Sequence, residues 1–266
     1  MKRLGLIAGN GVFPLEVAVA ARRRGIAVIA IAHQGETIAE LAPACDEITW
    51  IRVGEIQRIM DVLHTAGVDH AAMAGGIARA RLGESFAPDA RAISMITRIG
   101  RLSDDAVLRA LAAEIEAEGI PVIDPVPFMD DAVAGKGRLA GPEPPVDKMA
   151  DLELAFAVMR ALGDFDIGQA VAIHRGVVAA VEAVEGTDAA LRRAASLCGR
   201  GMVVAKAAKR GQDMRFDRPA IGPGTIELLA ELGAAMLAVA AGEALILERA
   251  RTFALADSAG VTIYGH

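Results

Sequence analysis

The chain has 266 residues, of which 53% are apolar and 23% charged, so it has the composition of a folded protein and the length of one large or two modest domains. Its formal net charge is −6 and only 3% of its residues are aromatic, so it lacks the basic surface and the stacking platforms of nucleic-acid-binding proteins. Its two cysteines, Cys45 and Cys198, are too few for a disulfide framework, which favours a reducing, cytoplasmic compartment.

The mean hydropathy of +0.38 is high, yet the sequence predicts no membrane-spanning helix. The longest apolar run, residues 232–242, lies between Glu231 and Glu243 and is shorter than the roughly 20 residues that a span requires. The basic start of the chain resembles a signal peptide, but its apolar run ends at Asn10 and charged residues follow, so we expect no leader.

Strand and helix patterns alternate along the first half of the chain. A helical pattern begins at Pro14 and ends before Gly25, and others cover residues 56–65 and 104–118. Short apolar runs predict strands at residues 4–8, 26–32, 48–52, 70–74 and 120–123. This alternation predicts an α/β fold with an N-terminal Rossmann-like parallel sheet domain at residues 1–134.

The second half reads as a separate unit. Residues 135–147 are rich in Gly and Pro without periodicity, which predicts a linker, and residues 148–266 form a C-terminal α/β (α+β) domain. Within that domain we predict helices at 150–162, 187–197, 225–232 and 249–258, a hairpin at 169–174 and 177–184, and strands at 202–205, 235–239, 244–247 and 261–264.

Two glycine-rich turns follow predicted strands of the first domain. The first reads Gly9-Asn10-Gly11-Val12-Phe13-Pro14 and places backbone N–H groups and a helix N-terminus at one point, which suits a phosphate or ribose. It is an incomplete dinucleotide fingerprint, because the acidic residue expected at the end of the second strand is missing and Glu36 comes late. The second turn, Ala74-Gly75-Gly76, precedes Arg79, which is suited to clamp an anion. A plain tight turn and a solvated arginine are the alternatives.

Three polar segments of the second domain are candidates for chemistry. Asp166 and Gln169 sit at a turn into a strand, and Thr187 and Asp188 open a helix, where helix capping is the alternative. The densest segment is the non-periodic loop that contains Lys206, Lys209, Gln212, Asp213, Arg215, Asp217 and Thr225. Cations suit phosphate oxygens and carboxylates suit Mg²⁺ or the activation of water, whereas a solvated loop of mixed charge is the alternative.

Several common catalytic patterns are missing from the sequence. It contains no Gly-x-Ser-x-Gly elbow and no Gly-x4-Gly-Lys-Ser/Thr phosphate loop. Its five histidines lack metal-ligand spacing, so any hydrolysis is expected to depend on carboxylates, lysines and arginines with a hard cation.

Taken in order, these motifs resemble the LpxI family, the UDP-2,3-diacylglucosamine pyrophosphatases of lipid A biosynthesis. The blocks that carry the resemblance are Gly9-x-Gly11 with Pro14, Ala74-Gly75 with Arg79, Asp104-Asp105 with Leu108-Arg109, Gly137-Arg138-Leu139, Lys148 with Asp151, Asp166-Ile167-Gly168-Gln169, Glu185-Gly186-Thr187-Asp188 with Arg193, and Lys206 to Thr225. Three positions depart from the expected pattern, with Gly76 in place of Asn and Ala80 and Arg210 in place of Pro.

The resemblance implies that water cleaves the pyrophosphate of UDP-2,3-diacylglucosamine to give UMP and 2,3-diacylglucosamine 1-phosphate (lipid X), with Mg²⁺ or another divalent cation such as Mn²⁺. It also implies a nucleotide site on the first domain and an acyl site on the second. The predicted catalytic residues are Asp217, Asp213, Lys206, Lys209 and Arg215, with Asp217 and Asp213 as metal ligands. The predicted substrate-binding residues are Gly11, Val12, Gly75, Gly76, Arg79, Gln169, Thr187, Asp188, Gln212 and Thr225.

The predicted partner is a nucleotide-sugar lipid. We expect a peripheral enzyme that contacts the inner membrane surface transiently. A homodimer is a possible oligomeric state. Two other functions stay open at this point. The glycine-rich turn alone suggests an NAD(P)-dependent oxidoreductase, against which the missing acidic residue counts. A non-catalytic carrier of lipid or nucleotide would bind the same ligands without releasing UMP.

Overall fold

A computed structural model describes residues 1–77, 86–99, 104–129, 131–165, 167–209, 211–216 and 218–266. The chain divides into two compact units. The first contains Met1–Asp130 and Asp213–Asp217, and the second contains Asp131–Gln212 and Arg218–His266. The predicted two-domain α/β organisation is therefore confirmed.

The first unit is built on a parallel four-stranded sheet. Its elements are β1 (Arg3–Ala8), α1 (Phe13–Arg23), β2 (Ala27–His33), β3 (Glu47–Ile51), α2 (Ile56–Thr65), β4 (His70–Ala74), α3 (Ala90–Arg98) and α4 (Asp104–Ala117), with short 3₁₀ helices at Ala39–Ala44 and Val126–Phe128. The strand order is β3-β2-β1-β4, as in the first half of a doubly wound α/β sheet.

Alternate residues of these strands pack on opposite faces of the sheet. Leu4 and Leu6 of β1 lie in a hydrophobic cluster with Val17 of α1, whereas Ile7 lies in the cluster that contains residues of α2 and α4. Both faces are therefore covered by helices, which is why the strands read as nearly continuous apolar runs in the sequence.

The predicted strand at residues 120–123 is reduced to a single parallel bridge between Ala71 and Val122. Pro121 has no N–H to donate, although its carbonyl accepts a hydrogen bond from Ala71 N at 2.9 Å. The helix α3 has no counterpart among the predicted elements. Asp89 caps it, because its Oδ1 accepts a hydrogen bond from Ala92 N at 2.8 Å.

The second unit contains a mixed six-stranded sheet. Its elements are β5 (Gly137–Ala140), α5 (Val146–Gly163), β6 (Ala170–His174), β7 (Val177–Val181), α6 (Thr187–Cys198), β8 (Val203–Lys206), β9 (Ala220–Ile221), α7 (Pro223–Leu232), β10 (Met236–Val239), β11 (Leu245–Ile246), α8 (Arg249–Ala259) and β12 (Thr262–Gly265). The sheet order is β5-β12-β10-β8-β6-β7, and β9 and β11 pair separately. The central strands β12, β10 and β8 are parallel, and β6 is antiparallel to β8.

Residues 131–147 belong to this second unit, although the sequence divides them between the first domain and a linker. Ala134 N donates to Ala244 O at 2.8 Å, and β5 pairs with β12 in antiparallel register. These hydrogen bonds join residues far apart in sequence, so the local Gly and Pro composition does not reveal them.

Candidate functional site

The carboxyl edge of the first sheet brings the two glycine-rich turns together. β1 has β2 on one side and β4 on the other, so the connections that leave β1 and β4 diverge at this edge. Such a topological switch point is where open α/β sheets bind ligands. Gly9 and Asn10 follow β1 directly, and Gly75 and Gly76 follow β4.

The two turns contact each other through their backbones. Gly9 N donates to Ala74 O at 2.8 Å, and Asn10 N donates to Gly76 O at 2.7 Å. A Cβ atom on Gly9 would lie 2.3 Å from Gly76 O, and one on Gly75, whose φ is +80°, would lie 2.3 Å from Asn10 O. Both positions therefore require glycine.

The predicted residues Gly11 and Val12 lie where the first turn enters α1. Gly11 has a φ of +77°, and a Cβ atom there would meet open space. Val12 is the N-cap of α1 and supplies no side-chain cap, and Pro14 occupies the first turn of the helix. The N-terminal N–H groups of α1 thus remain suited to an anion or a sugar hydroxyl.

Buried polar side chains hold the end of β1 and the first glycine-rich turn. Thr37 Oγ1 donates to Ala8 O at 2.7 Å, and His33 Nδ1 lies 2.9 Å from the same oxygen. Asn10 Nδ2 donates to Glu36 Oε2 at 3.2 Å, and Glu36 is only 7% exposed. Burial lowers the pKa of His33 below its usual value of 6.5, which keeps its imidazole neutral.

The carboxyl edge of the second sheet carries a cavity. Lys206, Val239 and Gly265 are aligned at the ends of β8, β10 and β12. The cavity has a volume of about 590 Å³ and is lined by Phe156, Met159, Arg160, Ala161, Asp164, Ala207, Ala208, Ala240, Ala241, Glu243 and His266. The rings of Phe156 and His266 pack with their centroids 4.3 Å apart. Its walls are small or apolar, with a few charged groups, as in pockets for small molecules.

Glu182 connects two of the predicted substrate-binding residues at the same edge. Thr187 Oγ1 donates to Glu182 Oε1 at 3.0 Å, and Gln169 N donates to Glu182 Oε2 at 3.0 Å. Gln169 O accepts a hydrogen bond from Ala207 N at 3.1 Å, one residue beyond Lys206. Gln169, Thr187 and Lys206 therefore lie on one side of the second unit, whereas Asp188 occupies the first turn of α6 and is exposed.

The other polar residues of the second unit's loop form local contacts. Lys206 Nζ donates to Ala220 O at 3.0 Å. Lys209 N donates to Gln212 Oε1 at 2.8 Å, which closes a short turn. Thr225 Oγ1 accepts a hydrogen bond from Gly222 N at 3.4 Å, so the Thr225 side chain caps the N-terminus of α7.

Asp213 and Arg215, in contrast, belong to the first unit and bind each other. Arg215 Nη2 donates to Asp213 Oδ2 at 2.9 Å, and Arg215 Nε lies 3.1 Å from Asp213 Oδ1. These hydrogen bonds lower the pKa of Asp213 and raise that of Arg215. Asp213 N also donates to Asp105 Oδ1 at 3.2 Å, and Arg109 pairs with Asp105 at 2.6 Å.

Both carboxylate oxygens of Asp213 accept hydrogen bonds from the guanidinium group of Arg215, and its role as a metal ligand stays a prediction. Among the described residues, no group of three or more His, Cys, Asp or Glu side chains is arranged to hold a metal ion. Arg79 and Asp217, and Asp166 of the Gln169 motif, lie outside the described residues.

Sequence reasoning missed Glu182, the buried role of Glu36, and the lining of the cavity by Arg160 and His266. The sequence does contain a clue to Glu36, because it is the first acidic residue after β2. The acidic residue was expected at the end of β2 itself, three positions earlier. Over the described residues, the helices are too short or too polar for any of them to cross a membrane.

The chain is a two-domain α/β protein, with glycine-rich turns at the carboxyl edge of the first sheet and a cavity at the carboxyl edge of the second. Residues 3–132 match the LpxI N-terminal domain, and residues 135–264 match the LpxI C-terminal domain. A relative from Caulobacter vibrioides, named UDP-2,3-diacylglucosamine pyrophosphatase LpxI, is 36% identical over 278 residues, covering 100% of this chain and 98% of the relative. The chain belongs to the LpxI family.

Two solved structures share only low similarity with this chain. Phosphoribosylglycinamide synthetase from Anaerococcus prevotii gives a TM-score of 0.28 at 14% identity, covering 69% of this chain and 39% of that one. The biotin carboxylase domain of the Hydrogenobacter thermophilus 2-oxoglutarate carboxylase gives 0.29 at 16% identity, covering 75% of this chain and 42% of that one. Similarities this low carry no functional argument.

Proposed function

We propose that this protein hydrolyses the pyrophosphate of UDP-2,3-diacylglucosamine to UMP and 2,3-diacylglucosamine 1-phosphate. The observation that carries the proposal is the 36% identity, over the whole chain, with a relative named for action on this nucleotide-sugar lipid. One P–O bond of the pyrophosphate breaks, and water supplies the hydroxyl group and the proton that complete the two products.

The first unit supports a nucleotide site. The glycine-rich turns lead to the start of α1, where the first N–H groups of a helix lack helical partners, although Pro14 has no N–H to contribute. We propose that Gly11, Val12, Gly75 and Gly76 bind the uridine phosphate part of the substrate, with Arg79 as an anion clamp.

The cavity of the second unit supports an acyl site. Phe156 and Met159 supply apolar contact, and the alanines leave room between β8, β10 and α5. A volume of about 590 Å³ lies within the range of small-molecule pockets. We propose that part of an acyl chain occupies this cavity.

The chemistry proposed for the loop is charge stabilisation and positioning of water. A pyrophosphate that is being cleaved accumulates negative charge on its non-bridging oxygens, which Lys206 and Lys209 would offset. Asp217 is the group proposed to orient the attacking water. Gln169 and Thr187, both bound to Glu182, are proposed to hydrogen-bond the substrate.

Mg²⁺ or Mn²⁺ is proposed as the cofactor, with Asp217 as its ligand, since a divalent cation neutralises a pyrophosphate. We expect chelation with EDTA to abolish turnover and added Mg²⁺ or Mn²⁺ to restore it. Full activity in EDTA would contradict the metal requirement and leave the hydrolytic reaction itself intact.

The reaction is tested by incubating the purified protein with UDP-2,3-diacylglucosamine and measuring UMP and the lipid phosphate by mass spectrometry. Asp217→Ala is expected to reduce turnover by about a hundredfold or more while substrate still binds. Asp147→Ala is the matched control, because it removes a carboxylate that is 74% exposed in the second unit. Tight binding without UMP release would favour a carrier instead, and nicotinamide binding would favour an oxidoreductase.

Transient contact with the inner membrane surface by a cytoplasmic protein is a further part of the proposal. Phe165 and Val184 are 75% and 88% exposed, and the loops that carry them adjoin where Gly168 packs against Glu182. Flotation with anionic lipid vesicles tests this contact. We expect weaker flotation for a Phe165→Ser, Val184→Ser variant, and equal flotation would contradict it.

A further inference from the structure

A short segment late in the sequence completes the first unit. The chain leaves the second unit after Gln212, contributes Asp213–Asp217 to the first unit, and returns to the second at Arg218. In the described part of this segment, residues 213–216, no helix or strand is formed. Its position therefore depends on side-chain contacts.

Arg215 makes most of these contacts. One terminal nitrogen of its guanidinium group, Nη1, donates to Glu116 Oε1 at 2.8 Å and to Val122 O at 3.2 Å. Its Nε and Nη2 bind Asp213 within the segment. All three guanidinium nitrogens are thus used, and two carboxylates offset the charge.

Phe216 provides an apolar contact. Its side chain is 6% exposed and belongs to the hydrophobic cluster that contains Leu111 and Ile115 of α4. Asp213 N donates a hydrogen bond to Asp105 Oδ1, also on α4. These contacts therefore attach residues 213, 215 and 216 to α4, from its first turn to its last.

We infer that Glu116 is a positioning residue for the hydrolytic reaction, acting through Arg215 to hold the segment that leads into Asp217. The inference rests on the proposed function, in which Asp217 orients water. Asp217 directly follows Phe216 in the sequence, so the anchors at residues 215 and 216 hold the residues that immediately precede it. Arg215 would accordingly act in positioning and not on the phosphate oxygens.

The test compares Glu116→Gln with Glu114→Gln. Both residues lie on α4 and bind arginines, but Glu114 pairs with Arg91 and Arg98 and is more buried, at 15% side-chain exposure against 41% for Glu116. If only stability mattered, the loss of Glu114 would be at least as harmful. We expect Glu116→Gln to lower kcat by about tenfold to a hundredfold with little change in KM, and Glu114→Gln to leave kcat nearly unchanged.

Amide hydrogen exchange supplies a second readout that does not depend on activity. Protection of residues 213–216 should fall in Glu116→Gln and persist in Glu114→Gln. Equal kcat losses in the two variants, a rise in KM alone, or unchanged exchange in Glu116→Gln would overturn the inference. If the wild-type protein shows no turnover, the proposed function fails, and exchange alone then decides whether Glu116 anchors the segment.

Discussion

The carboxyl edges of the two sheets are built from different parts of the polypeptide. In the first unit the edge is formed by peptide groups, because Gly9 and Gly75 let two turns approach to hydrogen-bonding distance. In the second unit it is formed by side chains, with alanines opposite Phe156 and Met159 around a cavity.

This difference indicates what each edge is able to bind. The N–H groups of Gly9 and Asn10 bind the second turn, and the N–H groups at the start of α1 are of the kind that suits a phosphate or a ribose. A cavity lined partly by alanines, Phe156 and Met159 gains free energy from buried apolar area and is sensitive to volume. The predictions below test whether the two edges respond to substitution in these two ways.

The largest effect is expected at Gly75 in the first unit. Gly75→Ala would place a Cβ atom 2.3 Å from Asn10 O at a φ of +80°, so we expect a loss of more than about 3 kcal/mol in the free energy of unfolding. Gly11→Ala is the control, since its φ is +77° but the added atom meets open space, and about 1 kcal/mol is expected. Urea unfolding measures both, and equal losses would show that the contact between the turns is unimportant.

The cavity of the second unit should respond through binding. Ala240→Leu adds volume at the cavity wall, and displacing two methylenes of an acyl chain would weaken binding roughly tenfold. Ala189→Leu is the control, because Ala189 is exposed on α6 and does not line the cavity. Calorimetry with the acylated substrate and with UMP separates the effects, and weaker UMP binding by Ala240→Leu would contradict an acyl site in this cavity.

A smaller effect is expected on the pH dependence of the unfolding free energy, through His33 at the carboxyl edge of the first sheet. Burial lowers the pKa of His33 in the folded protein, so between that pKa and 6.5 the unfolded chain binds a proton that the folded chain does not. The stability that His33 contributes is present above pH 6.5 and is lost as the pH falls through the folded-state pKa. His33→Asn keeps an N–H donor but removes the titration, so its unfolding free energy should depend less on pH just below 6.5. An unchanged dependence would exclude His33 as its source.

The smallest effect is expected at an exposed ion pair of the second unit. Arg193 binds Glu185 at 2.7 Å, and the hydrogen bond lowers the pKa of Glu185. Because water and salt screen such a pair, Glu185→Gln should leave the melting temperature unchanged within error. A clear drop would mean that this surface is less solvated than the structure indicates.

Elements with strong local patterns are predictable from the sequence. β1 and β4 are buried on both faces and read as apolar runs, and α2 has one apolar face. β5 is not predictable in this way, because its residues Gly137–Ala140 form a strand only by pairing with β12. The same holds for β9, whose two residues depend on β11.

The candidate site also has parts that the sequence predicts and parts that it does not. Proximity of the two glycine-rich turns follows from the sequence, because the carboxyl ends of parallel strands share an edge. The contacts of Glu116 and Glu182 do not, since Glu116 meets an arginine 99 positions away and Glu182 joins a turn to a helix through its two oxygens. Such contacts depend on tertiary packing, which residue type and spacing do not encode.

The late contribution of Asp213–Asp217 to the first unit has a consequence for biosynthesis. A nascent chain that ends near residue 130 holds all strands of the first sheet, but it lacks Phe216 in the cluster around α4 and Arg215 beside Glu116. Domains generally fold as they leave the ribosome, N-terminal first. Here the N-terminal domain stays unfinished until most of its partner has been translated, so its final consolidation is coupled to synthesis of the loop that carries the proposed chemistry.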